Sequence, residues 1–177
     1  KNSSNPLSYD SGFNEINNIL KINKVTKYSL CTDYIIDNNL FAKDNKKTYL
    51  HVERLIRLSC KNKYKVFVLP LLEASLVTKK NWGNAINVLK KLALLIVRYD
   101  IIICLETILS GKDLIKLLRS VNSNKVKCVF DTGNRVLLSS SLEKEILLLN
   151  KFIGHVHLKD KNTKNENVIL GTGKVNF

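Results

Sequence analysis

The run Phe152–Phe177, FIGHVHLKDKNTKNENVILGTGKVNF, decides how the rest of the chain is read. It holds a short apolar segment, two histidines two apart, an acid just beyond them, a polar loop and a Gly-x-Gly close. Alternate residues of a strand share a face. His155 and His157 therefore point the same way, and Asp160 falls where the strand is ending. A polar cluster at the C-terminal end of a buried parallel strand is where α/β barrels carry their chemistry. A histidine on such a face can equally be a satisfied interior residue. Both readings stay open for His155, whereas His157, nearer the strand end, is assigned to a site.

Four earlier segments have the same apolar, β-rich character. They are Lys27–Tyr34 (KYSLCTDY), Lys65–Pro70 (KVFVLP), Ile101–Glu106 (IIICLE) and Lys125–Asp131 (KVKCVFD). With Phe152–Leu158 they make five strands, and Pro70 is expected to stop the second. Helical spacing fills the gaps. Phe13, Ile16, Ile19 and Leu20 predict a helix over Ser11–Ile22, after a polar loop over residues 1–12. Leu50, Leu55, Ile56 and Leu58 give Thr48–Asn62 an apolar stripe. A long helix is expected over about Lys79–Tyr99, a further one over Gly111–Val121, and a last one over Ser141–Leu149, with Ser139, Ser140 or Ser141 as its cap.

Helices alternating with strands that are apolar on both faces predict a parallel sheet. Doubly wound and closed-barrel sheets both fit. No Gly-rich phosphate fingerprint follows an early strand, which argues against dinucleotide binding. A closed barrel has eight strands. If the sheet is a barrel, roughly three strands are missing from this chain.

The totals narrow the function. No apolar run approaches the roughly 20 residues of a membrane span, since Leu89–Leu105 is broken by Lys90, Lys91, Arg98 and Asp100. The net charge of +14 raises nucleic-acid binding. The basic residues, however, are 24 lysines and 5 arginines spread along the chain. Lysine lacks the forked donor geometry favoured for base and phosphate contacts. A solvated lysine-rich surface is the expectation, with no nucleic-acid partner. Cys31, Cys60, Cys104 and Cys128 form no CxxC pair and read as buried free thiols of a reducing cytoplasm. The chain contains no methionine and no visible signal peptide, and reads as a fragment or a trimmed chain.

Three successive strands end in Glu106, Asp131 and His157, spaced 25 and 26 residues apart. In a parallel sheet this brings two carboxylates and an imidazole to one edge. That donor set suits one divalent metal, Mn, Zn, Co or Mg. A strand-end acid can also simply cap the next helix, above all Asp131. Three in register favour the metal.

The runs FDTGN (Phe130–Asn134), GHVHLKD (Gly154–Asp160) and NVILGTGKVNF (Asn167–Phe177), with Glu106 in LETIL, resemble the sugar phosphate isomerase/epimerase family with the xylose-isomerase-like TIM barrel. The nearest branch resembles L-ribulose-5-phosphate 3-epimerases and hexulose-6-phosphate isomerases. The resemblance covers about Phe13–Phe177, with its specific motifs in the second half. It implies a (β/α)8 barrel, of which residues 1–177 are one partial domain of about five β/α units lacking the first strands and the last. It implies one metal held by Glu106, Asp131 and His157, plus a second glutamate on a strand with no counterpart here. It also implies a ketose or ketose phosphate substrate, an enediolate, and Glu106 as acid and base. Asn134 would line the mouth, His155 would meet substrate, Lys159 and Asp160 would orient His157 or meet sugar hydroxyls, and Gly171 and Gly173 would offer N–H groups to a phosphate. Self-association is left open.

Within the same fold, an endonuclease IV-like nuclease is the runner-up. That branch carries a histidine where Asn134 stands and needs several more, whereas this chain has 3 in all. His51 falls in a helix and reads as a surface or packing residue. A different class is a non-catalytic fragment or binding module, and the 177-residue chain alone is expected to be inactive or poorly folded.

Overall fold

In the computed structural model, which describes residues 10–139 and 141–177, five strands lie side by side in chain order. They are β1 (Ser29–Cys31), β2 (Val66–Leu71), β3 (Ile102–Thr107), β4 (Val126–Asp131) and β5 (Ile153–His157). Every neighbouring pair is parallel. The connections carry helices α1 (Asp10–Ile22), α2 (Tyr34–Asp37), α3 (Lys46–Lys61), α4 (Trp82–Leu95), α5 (Gly111–Val121), α6 (Thr132–Arg135) and α7 (Leu142–Leu149). A small antiparallel pair, β6 (Asp160–Lys161) and β7 (Asn167–Val168), follows β5. Sequential parallel strands with helical crossovers make a five-stranded half-barrel, the incomplete barrel expected from the sequence.

The two faces of the sheet bury different sets. Phe67, Leu69, Leu71, Ile103, Leu105, Cys128 and Phe130 pack outward against the helices in the main core. Val66, Val68, Cys104 and Val129 form a second cluster on the concave face, with Ile102 beside them. Each fully buried Leu, Ile or Phe contributes about 1.5–3 kcal/mol, so the larger outward cluster holds the layers together.

Local chemistry adjusts several predicted boundaries. β1 spans only Ser29–Cys31, and Tyr34, expected in it, opens α2. Its pairing to β2 ends at Cys31–Val68. Pro70 does not stop β2, which runs on to Leu71. Val66 N–H donates to Tyr28 O, so even-numbered β2 residues turn their N–H towards β1. β1 has ended by that point, and the missing proline donor has no partner to lose. α4 begins at Trp82, not Lys79, because Asn81 Oδ1 accepts from Thr78 N at 2.7 Å and holds a turn there. It ends at Leu95, after which Ile96 and Tyr99 close tighter turns onto Ala93 O and Ile96 O.

The buried face of α3 includes Thr48, Val52, Leu55, Ile56 and Ser59, while Leu50, placed in the predicted stripe, is 51% exposed. α1 begins at Asp10, one residue ahead of the helix predicted from Ser11 and within the loop expected over residues 1–12. Residues 1–9 of that loop, and Ser140 as a cap, lie outside the described residues. Ser141 caps α7, its side chain accepting from Lys144 N at 3.3 Å. Cys104 and Cys128 are buried as expected, but Cys60 is half-buried and Cys31 exposed. His51 packs its ring against Tyr34, centroids 4.0 Å apart. No helix among the described residues is long and apolar enough to cross a membrane.

Candidate metal centre

The pleat of β5 decides what faces the concave side. Cys128 is paired with Ile153, but the next residue, Val129, is paired with His155, so Gly154 is an extra residue in a bulge. A bulge shifts the alternation by one. Ile153 packs with the outer core, yet His155 stands opposite Val129 on the concave face. His157 then pairs with Asp131 at the C-terminal edge. Gly154 makes this possible, because a Cβ there would lie 2.7 Å from Lys127 Cβ and 2.8 Å from Cys104 Sγ.

At that edge the three strand ends converge. Ligand atoms of Glu106, Asp131 and His157 all lie within 4.8 Å of one another. His157 Nδ1 is 3.6 Å from Asp131 Oδ2 and 3.7 Å from Glu106 Oε2. Glu106 and Asp131 are buried, and His157 is half-buried. His157 Nδ1 is buried without a hydrogen-bond partner, and Asp131 Oδ2 is met by the Lys159 ammonium at 2.9 Å. Buried polar atoms without partners are costly unless something else satisfies them. Ligand atoms about 2.0–2.2 Å from a small divalent ion sit about 3.0–3.5 Å from one another. The observed separations are close to that, so these residues fit a cation bound by two oxygens and one nitrogen.

Four further side chains complete the surroundings. Lys159 Nζ stands 2.9 Å from Asp131 Oδ2 and 3.3 Å from Glu106 Oε1, forming ion pairs with both. Asn134 Nδ2 lies 3.5 Å from Glu106 Oε1, and Asn134 N–H donates to Asp131 Oδ1 at 2.9 Å. Asp131 thus caps α6 through Oδ1 and turns Oδ2 to Lys159 and the site, so the capping and ligand readings of this residue are compatible. Burial pushes the Asp131 carboxyl up, but the Lys159 ammonium and the Asn134 N–H outweigh it and hold it below the usual carboxylate value. His155 lies deeper, its ring edge-on to His157 with centroids 5.2 Å apart and stacked near Tyr28 at 6.3 Å. Burial, and then His157, lower its pKa.

Asp160, Gly171 and Gly173 sit differently from the sequence expectation. Asp160 is buried and turned into the loop that follows β7. Its Oδ2 accepts from Gly171 N at 3.0 Å and Gly173 N at 2.8 Å, and its Oδ1 from Lys161 N at 2.8 Å and Val175 N at 2.9 Å. The two glycine N–H groups are therefore directed at Asp160, not at a phosphate. Gly171 adopts φ 83°, a conformation glycine tolerates best. Asp160 organises this loop.

Sequence reasoning passed over other residues. Cys31 and Asp33, just past the end of β1, line an open cavity of about 520 Å³ together with Glu106, His157 and Lys159. Asp33 follows the rule that singled out Glu106, an acid at a strand end, but the predicted strand ran past it to Tyr34, whereas β1 ends at Cys31. The Cys31 thiol is pushed up to about 12 by partial burial and by the Asp33 and Glu106 carboxylates, although the residue as a whole is exposed. Arg135 is fully buried, donating to Thr107 O and Leu109 O at 2.8 Å and pairing with Glu145 at 3.1 Å. It fixes the chain directly after Glu106. No spacing rule marks such a residue. A second cavity of about 440 Å³, lined by Trp82, Leu109, Asp113 and Lys116, shares no residue with the cluster.

A parallel half-barrel with two carboxylates and an imidazole at its C-terminal edge defines a class of α/β-barrel protein. Residues 5–177 match the profile of the xylose isomerase-like TIM barrel, and the chain belongs to that family. No curated protein matches it by sequence. Solved structures of the same fold include a xylose isomerase domain protein from Planctomyces limnophilus, 13% identical with a TM-score of 0.80 over 93% of this chain and 67% of that one. A D-psicose 3-epimerase solved in the presence of D-fructose is 17% identical with a TM-score of 0.77, covering 96% of this chain and 64% of its own. A xylose isomerase-like barrel protein from Mycobacterium smegmatis, solved in complex with magnesium, is 16% identical with a TM-score of 0.76 over 94% of this chain and 65% of its own. The chain thus spans about two thirds of the length of these structures.

Proposed function

We propose that this protein is a divalent-metal-dependent sugar isomerase or epimerase acting beside a ketose carbonyl, with Glu106, Asp131 and His157 as its metal ligands. The observation that carries the reading is the convergence of three ligand atoms, from Glu106, Asp131 and His157, within 4.8 Å of one another, with His157 Nδ1 buried, without a hydrogen-bond partner and 3.6 Å from Asp131 Oδ2. Family membership and the metal and sugar named for the similar structures support it.

A divalent cation at such a centre polarises a carbonyl oxygen and offsets the negative charge that develops on it. Glu106 takes the proton from the carbon beside the carbonyl, and the electron pair left behind delocalises towards that oxygen. Returning the proton to the neighbouring carbon interconverts aldose and ketose. Returning one from the opposite face of the same carbon inverts it, which requires a second proton donor across the site. Asn134 and Lys159 both stand near Glu106 Oε1 and hold this carboxylate towards the cavity. His155, kept neutral by burial, and Asp33 offer hydrogen-bonding groups to sugar hydroxyls. A free sugar suits this site better than a sugar phosphate, because the Gly171 and Gly173 N–H groups are occupied by Asp160.

The test is metal content together with isotope exchange. The full-length protein, purified without chelator, is expected to hold one divalent ion. It should exchange solvent deuterium into an unphosphorylated ketose, followed by NMR. Exchange at C3 identifies an epimerase, and exchange at C1 or C2 an isomerase. Retention of metal by the triple variant Glu106→Gln, Asp131→Asn, His157→Ala would sink the ligand assignment. Metal without exchange into any free or phosphorylated ketose would sink the reaction.

A further inference from the structure

Lys159 reaches both acidic members of the candidate metal centre at once. Its ammonium is 2.9 Å from Asp131 Oδ2 and 3.3 Å from Glu106 Oε1. A lysine on a free surface samples many rotamers, and fixing one costs conformational entropy. Here the chain constrains it. Thr132 Oγ1 donates to Lys159 O at 2.5 Å and accepts from Lys159 N at 2.8 Å, clamping the Lys159 backbone from both sides. Gly133, the next residue, leaves room for the lysine stem, since a Cβ there would stand 3.0 Å from Lys159 Cβ. The residues after Asp131 thus seat a positive charge on the carboxylates that end β3 and β4.

We propose that Lys159 is a built-in cation that contends with the divalent metal for Glu106 and Asp131, and so sets how tightly this centre holds its ion. The inference rests on the metal-centre reading given above. Without a divalent ion, the ammonium sits between two buried carboxylates and offsets their mutual repulsion. When an ion enters, the two positive charges share the same two acids and repel. Lys159 therefore lowers the affinity for metal while stabilising the metal-free fold. A lysine serving only to meet substrate would leave metal affinity unchanged on removal, and one serving only to support the ligands would weaken it. The sign of the change separates these roles from the proposed one.

The experiment compares the full-length wild type with Lys159→Met and Lys159→Gln, each stripped of metal and titrated with Mn²⁺ by calorimetry at fixed ionic strength. Both variants are expected to bind Mn²⁺ about tenfold or more tightly than wild type, from the loss of a unit charge close to the ion. Their metal-free forms are expected to melt below the metal-free wild type, and Mn²⁺ is expected to raise their melting temperatures by more. Where one variant fails to fold, the other decides. Equal or weaker Mn²⁺ binding in the folded variant overturns the proposal while leaving the metal centre standing. No Mn²⁺ binding by wild type or variants overturns both.

Discussion

Gly154 of β5 and Cys104 of β3 approach each other across β4, the strand that lies between theirs. A Cβ added to Gly154 would stand 2.8 Å from Cys104 Sγ, and as close to Ile102 Cδ1. The approach exists because β5 bulges at this residue, and the bulge turns His155 and His157 to the concave face. Gly154→Ala is expected to cost about 1–3 kcal/mol by overpacking, and Gly154→Val more. Urea denaturation measures it. Equal stability of the alanine variant would show that the concave face can yield there, and that the bulge does not depend on glycine.

How far the site was legible follows from this bulge. Alternation along β5 showed that His155 and His157 share a face. It could not show which face, because a one-residue insertion opposite Cys128 and Val129 reverses the answer. The 25- and 26-residue spacing of Glu106, Asp131 and His157 survived because each residue ends its own strand, where the bulge has already been absorbed. Asp160 was misjudged for a different reason. An acid three residues past a histidine looks like a partner for it, but three of its four N–H partners lie 11 to 15 residues further on. Contacts set by loop closure leave no period in the sequence. Asp33 was passed over because the predicted strand Lys27–Tyr34 ran beyond it, whereas β1 ends at Cys31.

Asp160 holds the segment after β7 through four N–H groups. Burial pushes its carboxyl up, but these N–H groups prevail and hold it below its ordinary value of 3.8. A carboxyl lowered on folding contributes stability that is fully present above its unfolded value. That contribution is lost as pH falls through the folded one. Wild type is therefore expected to be more stable than Asp160→Asn at pH 7, and the difference to shrink as pH falls below about 4. Denaturation midpoints of both proteins across pH 7 to 2.5 check this. A gap that stays constant with pH would mean the ionised form is not what the loop requires.

Arg135 and Glu145 form a buried ion pair at 3.1 Å, with Arg135 also donating to Thr107 O and Leu109 O. Removing one member leaves the other charged and unpaired. Arg135→Leu is expected to destabilise by about 3–5 kcal/mol. The double variant Arg135→Leu, Glu145→Leu should recover part of that loss, because no lone charge remains. The two carbonyls lie just after Glu106, so Arg135→Leu should also weaken metal binding more than the stability loss of a remote substitution would. Chemical denaturation and metal titration of the three proteins give both readouts, and full additivity of the two single changes would exclude coupling.

Thr132 is the hinge between the two halves of the centre. It follows the ligand Asp131 directly, and its hydroxyl both donates to Lys159 O and accepts from Lys159 N. The hydroxyl also lies 3.4 Å from His157 O. One side chain therefore fixes the end of β5 relative to the end of β4. Thr132→Val keeps the shape and removes the hydroxyl, leaving a backbone donor and acceptor of Lys159 without partners. A loss of about 1–3 kcal/mol is expected. Thr132→Ser keeps the hydroxyl while losing only a methyl group, and should lie closer to wild type. If valine and serine cost the same, the methyl group and not the hydroxyl secures these strand ends. If only valine is costly, the hydroxyl is what holds Lys159 against the two carboxylates, and metal affinity should shift in the valine variant alone.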